Sequence, residues 1–414
     1  MIRYLTVFAA CLVLLSGVNG AGQSKPDNPG TLESLQREVQ QLQEQLSILQ
    51  AQLAAQPIPA STVSSEPPTV LVNDQPPDRD RSRITLRGFG EVNYQALDQR
   101  RPEIAGGGFV PGSAANFYTG DFDLLLTAPI SSRVNVLSEI DFAETDAQHF
   151  DVEIERLLLN YDSKNWLRVS AGRYQTGIGY YNTVFMSGAW PQTMADRPLI
   201  MAFPKEGGVL PVQAIGVSFN GAIPSGKIGL NYLFEYGSSD TMRTRLDGTE
   251  SIDDENNGNQ VNAGIFLRPD WVSGLEVGGS FYHDNISDDR NLSVRYGQSI
   301  LNAHIVYVAR GLEFLNEGVL IRHAQTSGPN LFNMPGAYTQ ISKQFGHVRP
   351  FFRFQYLNTN PRSTFHDVGL RYGPSFGARY DFNSNVAFKL QFDHTERRPE
   401  PDLNGIQTEI SFAF

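Results

Sequence analysis

The chain has 414 residues, 40% of them hydrophobic, and a formal net charge of -11. That size allows a substantial core, while the acidic balance excludes nucleic acid as a partner. The single cysteine, Cys11, sits so near the start that the bulk of the chain has no disulfide, thiolate metal site or cysteine nucleophile.

Met1-Ile2-Arg3-Tyr4 gives a short basic start, followed by an apolar run over 5–15 and the small-residue stretch Ser16-Gly17-Val18-Asn19-Gly20-Ala21. This pattern predicts a secretory leader over 1–20, cut near Gly20 or Ala21. A lipid-anchored reading at Cys11 is weaker, because the apolar run continues past it. No later segment approaches the ~18 uninterrupted apolar residues that a membrane helix needs. The expectation is an exported chain without a helical anchor.

A polar stretch leads into a helix predicted over 31–54. Leu32, Leu35, Val39, Leu42, Leu46, Leu49 and Leu53 recur three and four apart, the a/d seam of a coiled coil. The flanking positions are mostly glutamine, so charge does little to choose partner or direction. So short a helix is marginal alone. The seam therefore calls for further copies of the chain; a lone amphipathic helix docked elsewhere is the plainer alternative. Over 55–83 the composition changes, and Pro57, Pro59, Pro67-Pro68 and Pro76-Pro77 predict an extended, semi-stiff linker.

From 84 to 414 the reading is all-β, an antiparallel barrel of about sixteen strands crossing a lipid membrane. Strands are expected at 84–95, 116–127, 133–143, 153–161, 167–173, 213–222, 227–236, 260–268, 275–283, 300–308, 312–323, 338–345, 350–357, 367–380, 386–394 and the terminal segment. In that last segment Ile406, Thr408, Ile410, Phe412 and Phe414 share one face, and Gln407, Glu409 and Ser411 the other. An edge strand so apolar on one side invites aggregation in water but is satisfied by closure of a barrel in lipid. The mean hydropathy of -0.29 is no objection, since a barrel hides its hydrophobicity in every second residue. Long and short connections alternate, which predicts short periplasmic turns, longer outer loops, and a polar lumen behind an apolar outer face. A soluble β-sandwich would have to bury the polar set unpaired.

About sixteen strands enclose a lumen too wide for side chains to fill, so conduction is the function the pattern implies. The connection over 174–210 is the longest, the third long one, and rich in aromatics. Folded into the lumen it would narrow the pore, with Asp196, Arg197, Lys205 and Glu206 as constriction residues, or else these are solvated loop charges. Alternation directs Arg87, Arg156, Arg168, Arg173, Arg353 and Arg371 inward, facing Glu91, Asp121, Asp123, Glu139, Asp141 and Glu409. A charge on the lipid face costs ~2–4 kcal/mol near the midplane. An ion-pair lattice bracing the wall is the plainer reading of these charges, and together they leave the sign of selectivity open. The acidic loops around Asp253-Asp254-Glu255 and Asp288-Asp289 lack calcium-loop spacing. The seven histidines are scattered, with neither a nucleophile elbow nor a zinc-binding H-E-x-x-H, so no enzyme, metal or cofactor is expected.

Ala171-Gly172-Arg173-Tyr174-Gln175-Thr176-Gly177-Ile178-Gly179 resembles the strand end before the constriction loop of the phosphate-selective porin superfamily, and Leu86-Arg87-Gly88-Phe89-Gly90-Glu91-Val92 its first strand. The leading coiled coil and linker are similar to those of trimeric outer-membrane porins. The aromatic ending at Phe414 resembles the signal read by the barrel-assembly machinery. The resemblance implies a homotrimer of water-filled barrels in the outer membrane of a Gram-negative-type bacterium, the helix periplasmic, passing small hydrophilic solutes with anions among the candidates. No dense Arg/Lys ladder appears in the long loop, so phosphate selectivity does not carry over. The competing reading is a structural barrel whose helix tethers the envelope or docks a partner.

Overall fold

A computed structural model describes residues 84–98, 116–146, 149–185, 188–203, 208–239, 259–288, 291–360, 363, 365, 369–399 and 401–414. The leader, the coiled-coil seam and the linker lie outside the described residues, as do Lys205 and Glu206.

The strands are β1 (Thr85–Leu97), β2 (Asn116–Pro129), β3 (Val134–Asp146), β4 (His149–Lys164), β5 (Leu167–Gln175), β6 (Gln213–Ala222), β7 (Leu230–Ser239) and β8 (Gln260–Leu267). They continue as β9 (Leu275–Asp288), β10 (Asn291–Ala309), β11 (Leu312–Gln325), β12 (Leu331–Lys343), β13 (Val348–Asn358), β14 (Leu370–Asp381), β15 (Val386–Arg398) and β16 (Leu403–Ala413). Each pairs with its chain neighbour, and β16 pairs antiparallel with β1 to close the barrel. Closure removes the edge that the apolar terminal strand would otherwise expose. Phe414 completes the seam, its backbone exchanging hydrogen bonds with Gly88 at 2.9 Å in both directions.

Several connections are tighter than the sequence suggests. Strands β4, β10 and β12 begin earlier and β9 ends later than expected, so the connections after β3 and β9 are only two residues each. Pro335 sits within β12 rather than in a loop, and Lys227 lies in a 3-10 turn (Gly226–Ile228) rather than a strand. The β10–β11 hairpin turns on Arg310 and Gly311, both with positive φ, the two-residue geometry that matches strand twist.

Outward positions are apolar over much of the wall: Phe354, Phe376, Phe392, Ile406 and Ile410 are all exposed. Across β9–β12 that face changes. Gly279, Ala303, Gly318 and Ala337 lie side by side in register, and the row beside them holds Asn316, whose Oδ1 accepts from Thr339 Oγ1 at 2.5 Å.

The larger departure is inside. Tyr282, Ile300, Val306, Leu315, Val319, Ile321, Met334, Tyr338 and Leu357 point inward and are buried. The expectation of a polar lumen on every strand therefore fails over β9–β13. On β11 both faces carry apolar residues (Leu312, Phe314 and Leu320 against Leu315, Val319 and Ile321), so alternation alone cannot say which faces lipid. What covers the inner set is the chain between β5 and β6.

Candidate pore and its infolded loop

The connection 176–212 carries a five-residue helix, α1 (Tyr180–Val184), and a 3-10 turn (Leu199–Met201). Its entry is shaped by Gly172, with φ +134, where a Cβ would collide with the carbonyl oxygen of Leu157. Among described residues the loop's polar groups find partners on the wall of β7–β15. The Glu235 carboxylate accepts from the Gly177 N–H at 3.0 and 3.1 Å. The Glu317 carboxylate accepts from the N–H groups of Tyr180 (2.6 Å) and Tyr181 (2.9 Å) and from Tyr338 Oη (2.5 Å). Thr193 donates to Glu313 at 3.0 Å and the Leu199 N–H to Gln355 at 3.0 Å. From β14, Arg379 donates to the Trp190 and Gln192 carbonyls; from β15, Lys389 donates to those of Ala189 and Met194. A loop can lie buried only if its backbone is satisfied this way.

Its apolar side chains close the contact. Ile178, Tyr180, Tyr181, Phe185, Ile200 and Met201 pack with Tyr282, Ile300, Leu315, Met334 and Tyr338 into one core. Each such side chain is worth ~1.5–3 kcal/mol when fully buried. The barrel is therefore dry along this side.

The sequence-expected constriction residues separate in role. Asp196 ion-pairs with Arg353 of β13, accepts from Gln391 Nε2 at 2.8 Å, and offers its carbonyl to Arg353 Nη1 at 2.9 Å. Arg197 is buried inside the loop: Nε donates to the Met201 carbonyl at 2.7 Å, Nη1 to that of Phe185 at 2.7 Å, and its guanidinium lies 4.3 Å from the Phe203 ring centroid. It holds the loop's two arms together.

The wall charges fall on inward positions in register, with Glu91 opposite Ser411, Asp123 opposite Asp141, and Glu139 opposite Arg156. Arg156 Nε meets Glu139 Oε2 at 2.5 Å, Lys389 Nζ meets Glu409 Oε1 at 2.7 Å, and Arg168 pairs with Asp162. Asp121 is half-buried and Arg87 is exposed near the end of β1. Arg371 is buried. Arg173 stands opposite Leu157 and Ile215, the outward parity, yet its guanidinium donates to Gln213. Gln213 in turn donates to Glu155.

Alternation already turns Glu235 into the lumen, but sequence reasoning missed Glu313, Glu317, Arg379 and Lys389, which anchor the loop with it. Period-two alternation directs most of them inward, but nothing local says that the chain they hold comes from 176–212. It also missed Glu153 and Glu155. A bulge at β3–β4 makes Glu155 an extra residue, and its carboxylate lies within 4.8 Å of those of Asp141 and Glu153.

A closed antiparallel sixteen-stranded barrel with one connection folded into its lumen is the fold of the outer-membrane porins. The solved structures this chain resembles include the anion-selective porin from Comamonas acidovorans (TM-score 0.54, 11% identity, covering 80% of this chain and 100% of that one). The outer membrane channel DcaP of Acinetobacter baumannii (TM-score 0.54, 9% identity, 81% and 99%) and Salmonella typhi OmpF (TM-score 0.51, 12% identity, 82% and 99%) share the same architecture. No family model and no curated protein sequence matches the chain.

Proposed function

We propose that the chain is a passive outer-membrane porin for small hydrophilic solutes, assembled as a homotrimer. The observation that carries this reading is the β5–β6 loop pinned across the lumen, which narrows a barrel too wide for its own side chains to fill. The constriction is assigned to the infolded loop, which Asp196 pins to Arg353 of the wall; Arg197 keeps the loop's shape, and Lys205 and Glu206 complete the expected set. The inward charges from Arg87 to Glu409 brace the wall and set the field within it. The leader over 1–20, a periplasmic coiled coil over 31–54 and insertion by the barrel-assembly machinery through Phe414 belong to the same proposal. Small anions belong to that solute class alongside small cations, as the name of the Comamonas structure suggests. Purified protein in planar bilayers should show stepwise conductance. A silent barrel would favour the alternative, an envelope tether whose helix docks a partner.

A further inference from the structure

The infolded loop divides the lumen unequally. Its described hydrogen bonds run to β7, β11, β13, β14 and β15, and its apolar side chains pack with β9–β13. Near its tip, Gly188 comes up to Phe89 of β1 and Asp123 of β2, where an added Cβ would lie 2.9 Å from the Phe89 Cβ and 3.0 Å from Asp123 Oδ2. The loop thus crosses the barrel, with a dry core behind it and the inner wall of β2–β5 before it.

The division also sorts the charges. Three basic side chains of β13–β15 are turned to the loop and to neighbouring carboxylates: Arg353 to Asp196, Arg379 to Asp381 and two loop carbonyls, Lys389 to Glu409 and two more. The opposite wall gathers Asp121, Asp123, Glu139, Asp141, Glu153 and Glu155, with Arg156 paired to Glu139, Arg173 linked through Gln213 to Glu155, and Arg168 paired to Asp162. The carboxylate oxygens of Asp141, Glu153 and Glu155 lie within 4.8 Å of one another. Glu139, 1% exposed and within electrostatic range of Asp123, gives one oxygen to Arg156 and leaves Oε1 without a hydrogen-bond partner. A buried carboxylate oxygen beside like charges is stabilised by a proton or by a nearby cation.

We propose that solute passes only between the infolded loop and the β2–β5 wall, and that this passage selects small cations over anions. The inference rests on the porin reading and goes beyond it by naming the path and its charge preference. The six carboxylates outnumber Arg156, Arg168 and Arg173 on the same wall, so cations would be concentrated along β2–β4, while Arg353, Arg379 and Lys389 are occupied under the loop.

The test uses the full chain in planar bilayers under a potassium chloride gradient. Potassium is expected to permeate several-fold better than chloride, and the Glu153→Gln/Glu155→Gln double variant to lower that ratio about twofold or more. In a Cys11→Ser background, Glu153→Cys should react faster with a positively charged thiol reagent than with a negative one, and Leu315→Cys should react with neither. A chloride preference, equal reagent rates, or a reactive Leu315→Cys would each overturn the inference while leaving a porin. Absence of any conductance would instead overturn the porin reading, and the inference with it. The sign of the unmodified protein's selectivity does not depend on whether any variant folds.

Discussion

Glu317 shows how one side chain can place a whole segment. Its carboxylate holds two loop N–H groups and the Tyr338 hydroxyl, and hydrogen bonds to a charged group are each worth ~1.5–3 kcal/mol. Glu317→Gln keeps the shape but removes the charge, and should lower the thermal unfolding temperature in detergent while making single-channel currents larger and noisier. Asp196→Ala is the harsher change. Arg353 has no exposed surface, so removing its counter-charge should cost about 3–5 kcal/mol, read by circular dichroism melting. Gly172→Ala combines a left-handed φ with a collision against the Leu157 carbonyl, and should cost at least ~1–3 kcal/mol by the same measurement.

At the scale of elements, the loop and the closing seam are separable. Deleting 186–206 should raise single-channel conductance several-fold, because the segment carries Asp196 and the contacts to β13–β15; unchanged conductance would remove the constriction assignment. The seam depends on a ring over a glycine: a Cβ on Gly88 would strike the Phe414 ring, which stacks 6.2 Å from Phe122. Phe414→Ala should lose about 0.5–1.5 kcal/mol of aromatic pairing and slow assembly of the closed barrel in refolding trials. Both elements join residues far apart in the chain, and for that reason neither contact is written in any local window.

For the whole molecule, the oligomer is expected to depend on the helix over 31–54, so that its removal shifts the assembly to smaller species on native gels. The number and order of the strands were readable because each is a short segment of period two bounded by turn residues, a property of consecutive residues alone. The same alternation directed the charges of β1–β4 and β13–β16 away from lipid, since there one face is clearly apolar and the other clearly polar. On β9–β13 that contrast disappears: Leu315, Val319 and Ile321 are as apolar as Leu312, Phe314 and Leu320, and a chain read in order cannot say which set meets hydrocarbon. Only closure of the barrel around the β5–β6 loop decides it. The sequence by itself determined a closed barrel with an apolar skin, because alternation is local. The tertiary structure decided which side of the lumen is dry and which charges the loop occupies, because those follow from contacts such as Tyr180 with Glu317 and Lys389 with Met194, made between residues more than a hundred positions apart.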